Sequence, residues 1–164
     1  LYWTGIRVGE LLALTVGDFD FKNNMLTINK SYQRLHGEDV ITTPKTEKSN
    51  RTIKMPQFLC DEMQEYLKMF YSLNNSDRIF PISKSYLHHE MDRGSKAAGV
   101  KRIRIHDLRH SHVSLLINQG YQAAAIADRV GHETVEITDR YTHIYPSKQN
   151  EMANTLDELW KERK

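Results

Sequence analysis

The run Ile105-His106-Asp107-Leu108-Arg109-His110 sets a proton-transferring side chain three residues before a guanidinium, His132 follows 23 residues after Arg109 in a Gly-His step, and Tyr141 comes nine residues later. On a helix starting at His106, a separation of three puts Arg109 on the same face, so both side chains can meet one ligand. That geometry suits a phosphate. An arginine fork can hold two non-bridging phosphate oxygens, and two arginines can neutralise a five-coordinate phosphoryl transition state without a metal; Arg7, at the start of its own helix, is the candidate second clamp. Tyr141 is then the candidate nucleophile. A phenol with a pKa of about 10 is only about one part in a thousand ionised at pH 7, so it needs nearby cations and a base, and His106 or His132 can help. The leaving alkoxide needs a proton donor, for which Lys45 on a polar loop is suited.

These residues must be gathered from distant parts of the chain by elements that read as mostly helical. Apolar positions at 8, 11, 12 and 14 predict a helix over Arg7 to Leu14, after a break at Thr4-Gly5. Phe19 to Phe21 and Met25 to Ile28 flank Lys22-Asn23-Asn24 as a hairpin, and a second strand pair is expected at Val40 to Thr43 and Arg51 to Met55, joined by the polar loop that carries Lys45. Pro56 suits the first turn of a helix whose stripe Phe58, Leu59, Met63, Tyr66, Leu67 and Phe70 runs to about Tyr71. Further helices are expected from about Ser83 to Ala98, from His106 to Asn118, from Gln122 to Val130 and from Val135 to His143, with Gly99, Gly120 and Gly131 as stops. After Pro146 a last helix would carry Met152, Leu156, Leu159 and Trp160 at i, i+4, i+7 and i+8. The fold class is therefore α+β, mostly helical, with a small antiparallel sheet near its start.

Composition bounds this reading. The 164 residues fit one domain with an ordinary hydrophobic core. The lone cysteine, Cys60, falls in the apolar rhythm of Phe58, Leu59, Met63 and Leu67; one thiol builds neither an internal disulfide nor a cysteine zinc site. No signal peptide and no long apolar run is present, which points to a cytoplasmic protein without membrane contact. The net charge of +2 argues little, but its distribution argues more: Lys22 to Lys54 holds seven Lys or Arg against three acids, and Lys96 to His112 five against one. Such segregation could line a face for a polyanion.

In this order and spacing the residues resemble the tyrosine recombinase family, also called phage integrases, over almost the whole chain. Thr4-Gly5-Ile6-Arg7-Val8-Gly9-Glu10 resembles the first box of the family, Pro44-Lys45-Thr46 with Arg51-Thr52-Ile53 its hairpin lysine, and His106-Asp107-Leu108-Arg109-His110-Ser111 its second box. Val130-Gly131-His132 and Arg140-Tyr141-Thr142-His143 complete the pattern. Ile6 and Val130 stand where leucine is commoner, and Ser111 where threonine is frequent; none touches a reacting group. The resemblance implies a recombinase catalytic domain over residues 1–164, truncated at its N-terminus and lacking core-binding and arm-binding domains, in keeping with a start at Leu1 inside an apolar run.

The implied activity is DNA strand exchange by two transesterifications. Tyr141 would attack the scissile phosphate to give a 3′-phosphotyrosyl link and a free 5′-hydroxyl, which later attacks the link on the partner strand. Arg7 and Arg109 would clamp the phosphate, Lys45 protonate the leaving oxygen, His106 exchange the tyrosine proton and His132 hydrogen-bond the phosphate, while Glu10 would orient Arg7 or its neighbours. The bond energy stays in the phosphotyrosine, so no cofactor is expected, and the sequence holds no P-loop. The implied partners are double-stranded DNA attachment sites, a homotetramer on DNA to which the last helix could contribute, and accessory DNA-bending or directionality proteins. The implied role is integration or excision of a prophage or other mobile element.

Three competing readings stand beside this one. His106 and His110 have the i, i+4 spacing of helical zinc ligands, but Asp107 stands where a zinc hydrolase needs glutamate and no separate third ligand is evident, so no metal is expected. A type IB topoisomerase shares the chemistry but relaxes supercoils. A catalytically silent DNA-binding module would have lost a reacting residue, and none is lost.

Overall fold

The computed structural model describes residues 1–44 and 46–139, with Glu47, Ile137 and Asp139 by backbone only, together with Leu156 and Lys161. Lys45 and Tyr141 lie outside the described residues, as do Met152, Leu159 and Trp160 of the C-terminal stripe; Leu156 is helical and 66% exposed.

Helix α1 (Val8–Ala13) is followed by a 3₁₀ turn and then by strands β1 (Phe19–Asp20) and β2 (Met25–Ile28), which pair antiparallel as the apolar clusters around Lys22-Asn23-Asn24 predict. The next pairing departs from expectation. The strands expected at Val40 to Thr43 and Arg51 to Met55 do not pair with each other: the first lies in β4 (Glu38–Thr42), which pairs with β3 (Ser31–Leu35), whereas β5 (Arg51–Lys54) pairs with β2. The reason is the turn His36-Gly37, where both residues have positive φ, 51° and 88°; a two-residue turn of that hand closes a local hairpin. β3 hides its strand character behind the polar sequence Ser-Tyr-Gln-Arg-Leu, in which Tyr32 alone is buried. Among the described residues the sheets are therefore two, one of order β1-β2-β5 and one of β3-β4, both antiparallel.

The period of two along β2 buries Leu26 and Ile28, and the register pairs Leu26 with Ile53 and Ile28 with Arg51. Ile53 packs into a core with Ile6, Leu14, Met55 and Cys60, so Cys60 is the core residue expected. Arg51, two residues earlier on the same strand, shares the face of Ile53 and is thereby aimed into the protein. α1 lies close over β3: a Cβ on Gly9 would come within 2.5 Å of Ser31 Oγ, and Leu12 and Ala13 pack on Tyr32.

Helices α2 (Gln57–Lys68), α3 (Lys84–Ala97), α4 (Asp107–Asn118) and α5 (Ala123–Val130) follow the expected stripes to within a few residues. Pro56 is the N-cap of α2 instead of its first helical residue, and Ser83 caps α3 by accepting the Tyr86 amide at 3.2 Å. α4 and α5 pack through Val113, Ile126 and Val130, and α6 (Val135–Asp139) begins the segment that leads to Tyr141.

Candidate active site

The site is built around the C-terminus of α5. Gly131 adopts the left-handed conformation (φ 68°, ψ 51°), and the amides of Gly131 and His132 turn back onto the carbonyls of Asp128 (3.3 Å) and Ala127 (2.9 Å). A Cβ at Gly131 would also sit 2.9 Å from the Lys48 carbonyl oxygen. Once the helix is closed this way, the carbonyls of Arg129, Val130 and Gly131 have no helical donor and carry the negative end of the helix dipole. Each of the three accepts an arginine from a different element. Arg51 Nε donates to Arg129 O at 2.9 Å, Arg109 Nη2 to Val130 O at 2.7 Å, and Arg7 Nη2 to Gly131 O at 2.8 Å. Consecutive backbone oxygens thus hold three guanidiniums side by side, immediately before His132.

Glu10 fixes two of these cations. It is only 4% exposed, and its carboxylate accepts from Arg7 N (2.8 Å), Arg7 Nη1 (2.8 Å), Arg51 Nη1 (3.1 Å) and Arg51 Nη2 (2.9 Å). Burial alone would raise its pKa, but hydrogen bonds and charge from Arg51, with those of Arg7, outweigh this and hold the carboxyl below its ordinary value. The bond to the Arg7 amide also satisfies an orphan donor at the start of α1. Arg109 is held from the other side, since its Nη1 donates to Gly5 O at 2.6 Å and the residue is 3% exposed. Gly5 reaches that position in a positive-φ conformation (69°), with the His112 ring so close that a Cβ would meet it at 2.5 Å.

The histidines around this cluster are held neutral. Burial, with the positive charges of Arg109 and Arg7, lowers the His132 pKa to about 4. Its Nδ1 lies 2.9 Å from Thr138 Oγ1. His106 stands at the N-cap of α4, exposed, with its ring edge-on to His110 at a centroid distance of 4.6 Å. Burial lowers its pKa too, helped by His110 and Arg109. A neutral imidazole beside guanidiniums can take a proton, which is what a base needs.

The structure holds Arg7, Glu10 and Arg109 together at the C-terminal carbonyls of α5, sets His132 next in the chain with its imidazole bonded to Thr138, and places His106 at the N-cap of α4, three residues before Arg109. Pro44 and Thr46, the sequence neighbours of Lys45, line a polar cleft of about 290 Å³ together with Arg7, Glu10 and Ser49. Lys48 Nζ anchors that loop by donating to Glu133 O at 2.9 Å. Three residues escaped the sequence reading as parts of the site. Arg51 stood in the hairpin box Arg51-Thr52-Ile53 without a role in the site, yet it bridges β5, α1 and α5. Thr138 is fully buried beside His132. His110 joins the electrostatic surroundings of both His106 and His132. The acceptors in this cluster are mainly backbone carbonyls, which no side-chain pattern announces.

The Phage integrase family model matches residues 1–148. The chain is 37% identical over 172 residues to the ICEBs1 integrase of Bacillus subtilis (strain 168), covering 96% of this chain and 47% of that protein. It is 32% identical over 174 residues to the integrase of Staphylococcus phage L54a, covering 95% and 49% respectively. The chain therefore spans about half the length of these curated relatives. In fold it is similar to the Tn1549 transposon integrase in complex with circular intermediate DNA (TM-score 0.78, 21% identity, 97% of this chain and 57% of that one). It is similar also to the catalytic domain of bacteriophage HP1 integrase (TM-score 0.59, 23% identity, 94% and 76%). Among the described residues no helix is long and apolar enough to cross a membrane.

Proposed function

The chain belongs to the phage integrase family of tyrosine recombinases, and on that premise we propose that the whole protein is a site-specific DNA recombinase acting through a 3′-phosphotyrosyl intermediate. The observation that carries this reading is the row of three arginines on the consecutive carbonyls of residues 129 to 131. Guanidiniums positioned by the backbone need no reorganisation when a phosphate gains charge, and such preorganisation is a large source of catalysis. Arg7 and Arg109 clamp the scissile phosphate, while Arg51 and Glu10 hold Arg7 in its pose. His132 donates to a non-bridging oxygen. Tyr141 attacks phosphorus as His106 takes its proton, the bond to the 5′-oxygen breaks, and Lys45 protonates that oxygen. In the second half the 5′-hydroxyl of another strand attacks the phosphotyrosine and the phenol leaves, so phosphodiester bonds are conserved without a cofactor.

The substrate is a double-stranded DNA attachment site, and relatives named integrases, one of them from a phage, favour integration or excision of a mobile element in the cytoplasm, where bacterial DNA lies. Four copies would assemble on DNA, with the C-terminal stripe available for contacts between them and with accessory DNA-bending or directionality proteins. Incubating the full-length protein with two plasmids that carry its attachment sites tests this function. Recombinant joints are expected. Relaxation of supercoils alone would move the assignment to a type IB topoisomerase, and binding without either product to a silent DNA-binding module.

A further inference from the structure

We infer that Thr138 is a positioning residue of this site: its hydroxyl donates to Nδ1 of His132 and so keeps the single imidazole proton on Nε2, the nitrogen then able to donate to a phosphate oxygen. The inference rests on the proposed role of His132 toward phosphate, but the contact itself does not. Thr138 Oγ1 lies 2.9 Å from His132 Nδ1, and Thr138 is 0% exposed, so water does not compete for the hydroxyl. His132 is neutral at physiological pH, because burial and the neighbouring arginines push its pKa to about 4. A neutral imidazole has one N–H and one bare nitrogen. Ionised phosphate oxygens only accept, so a ring with its proton on Nδ1 would turn a lone pair toward the anion and repel it. The proton must then be on Nε2, which leaves Nδ1 bare, and the Thr138 hydroxyl, able to donate or accept, donates to it and holds the ring in that pose.

Placement gives this contact a second consequence. Thr138 lies on α6, three residues before Tyr141 in sequence, while His132 follows the carbonyl row at the end of α5. Docking of α6 against α5 therefore buries Thr138 and sets the donor tautomer of His132 together. The segment that leads to the nucleophile also readies the phosphate donor.

The test is ¹⁵N NMR on the intact protein labelled at histidine, with His132 assigned by the signal missing from His132→Gln, combined with suicide-substrate cleavage and DNA binding. Wild type is expected to show a protonated Nε2 and a bare Nδ1. Thr138→Val should lose the hydrogen-bonded shift of Nδ1 and cleave about 10- to 100-fold more slowly, the loss that removing the outer partner of a metal-bound histidine commonly causes, with DNA affinity unchanged. Thr138→Ser should restore both shift and rate. A proton on Nδ1 in wild type would overturn the inference, as would a Thr138→Val protein whose Nδ1 signal is that of wild type or that cleaves at the wild-type rate. If Thr138→Val does not fold, the wild-type spectrum and Thr138→Ser still decide the matter. Absence of any adduct from wild type would overturn the recombinase reading instead, because the tautomer is read without DNA.

Discussion

Glu10→Gln keeps the shape of the side chain and removes its charge, which makes it the sharpest probe of the arginine cluster. Each carboxylate oxygen accepts one donor from Arg7 and one from Arg51. Whichever oxygen becomes the amide nitrogen, one bond to each arginine is lost and an N–H group faces their donors. A hydrogen bond to a charged group contributes about 1.5–3 kcal/mol. The Arg7 side chain is 37% exposed, so water replaces much of its loss, whereas Arg51 at 7% has no such relief and keeps one bond to the remaining amide oxygen beside its carbonyl partners. The sum is about 3 kcal/mol, which for a chain of this size lowers Tm by roughly 6–12 °C. Thermal melts at pH 7.5 followed by circular dichroism measure it. Cleavage should fall as well, because Arg7 loses the partner that fixes its fork. A Tm within about 1 °C of wild type would refute the reasoning, since it would mean the cluster does not depend on its anion.

Two other predictions come from the same cluster. Arg109→Lys retains a buried charge but cannot span Gly5 O and Val130 O, so one carbonyl is left without a donor; we expect a loss of about 1–3 kcal/mol in thermal melts and cleavage reduced at least about 100-fold, with DNA binding in gel-shift assays retained. Lysine is more informative here than alanine, because Arg109 also holds the fold, and wild-type cleavage in Arg109→Lys would demote it from the phosphate clamp. Stability should fall as pH drops from about 6.5 toward 4, because His112 and His132 have folded pKa values of about 4 against an ordinary 6.5, chiefly through burial. The unfolded chain binds more protons in that window, so each histidine contributes a slope of at most about 1.4 kcal/mol per pH unit, and a Tm flat across it would contradict the burial of both rings.

Helices and their stops were legible because apolar periodicity and glycine placement act locally. The expected helix over residues 122 to 130 and its stop at Gly131 were found nearly as read, and the family boxes identified Arg7, Glu10, Arg109 and His132 as one group. Strand pairing was less legible: Val40 to Thr43 and Arg51 to Met55 both looked like strands, but nothing local told them not to pair with each other. The cue was the His36-Gly37 turn, hidden by a strand whose outward face is polar. Arg51, though inside a family box, and Thr138 had no readable role in the site, because their meaning comes from a carbonyl and an imidazole brought to them by folding. The backbone oxygens that organise the arginines belong to every residue alike, so sequence marks only the glycine that bends them into place.

The central claim is that Tyr141 becomes bonded to DNA. The full-length protein should be incubated with a nicked suicide duplex carrying its attachment site and labelled on the strand that keeps the 3′-phosphate, and the products should be resolved under denaturing conditions. A labelled protein–DNA adduct whose tryptic peptide carries the phosphodiester on Tyr141 is expected, and no adduct from Tyr141→Phe. An adduct that persists in Tyr141→Phe, or that maps to another residue, would contradict that claim.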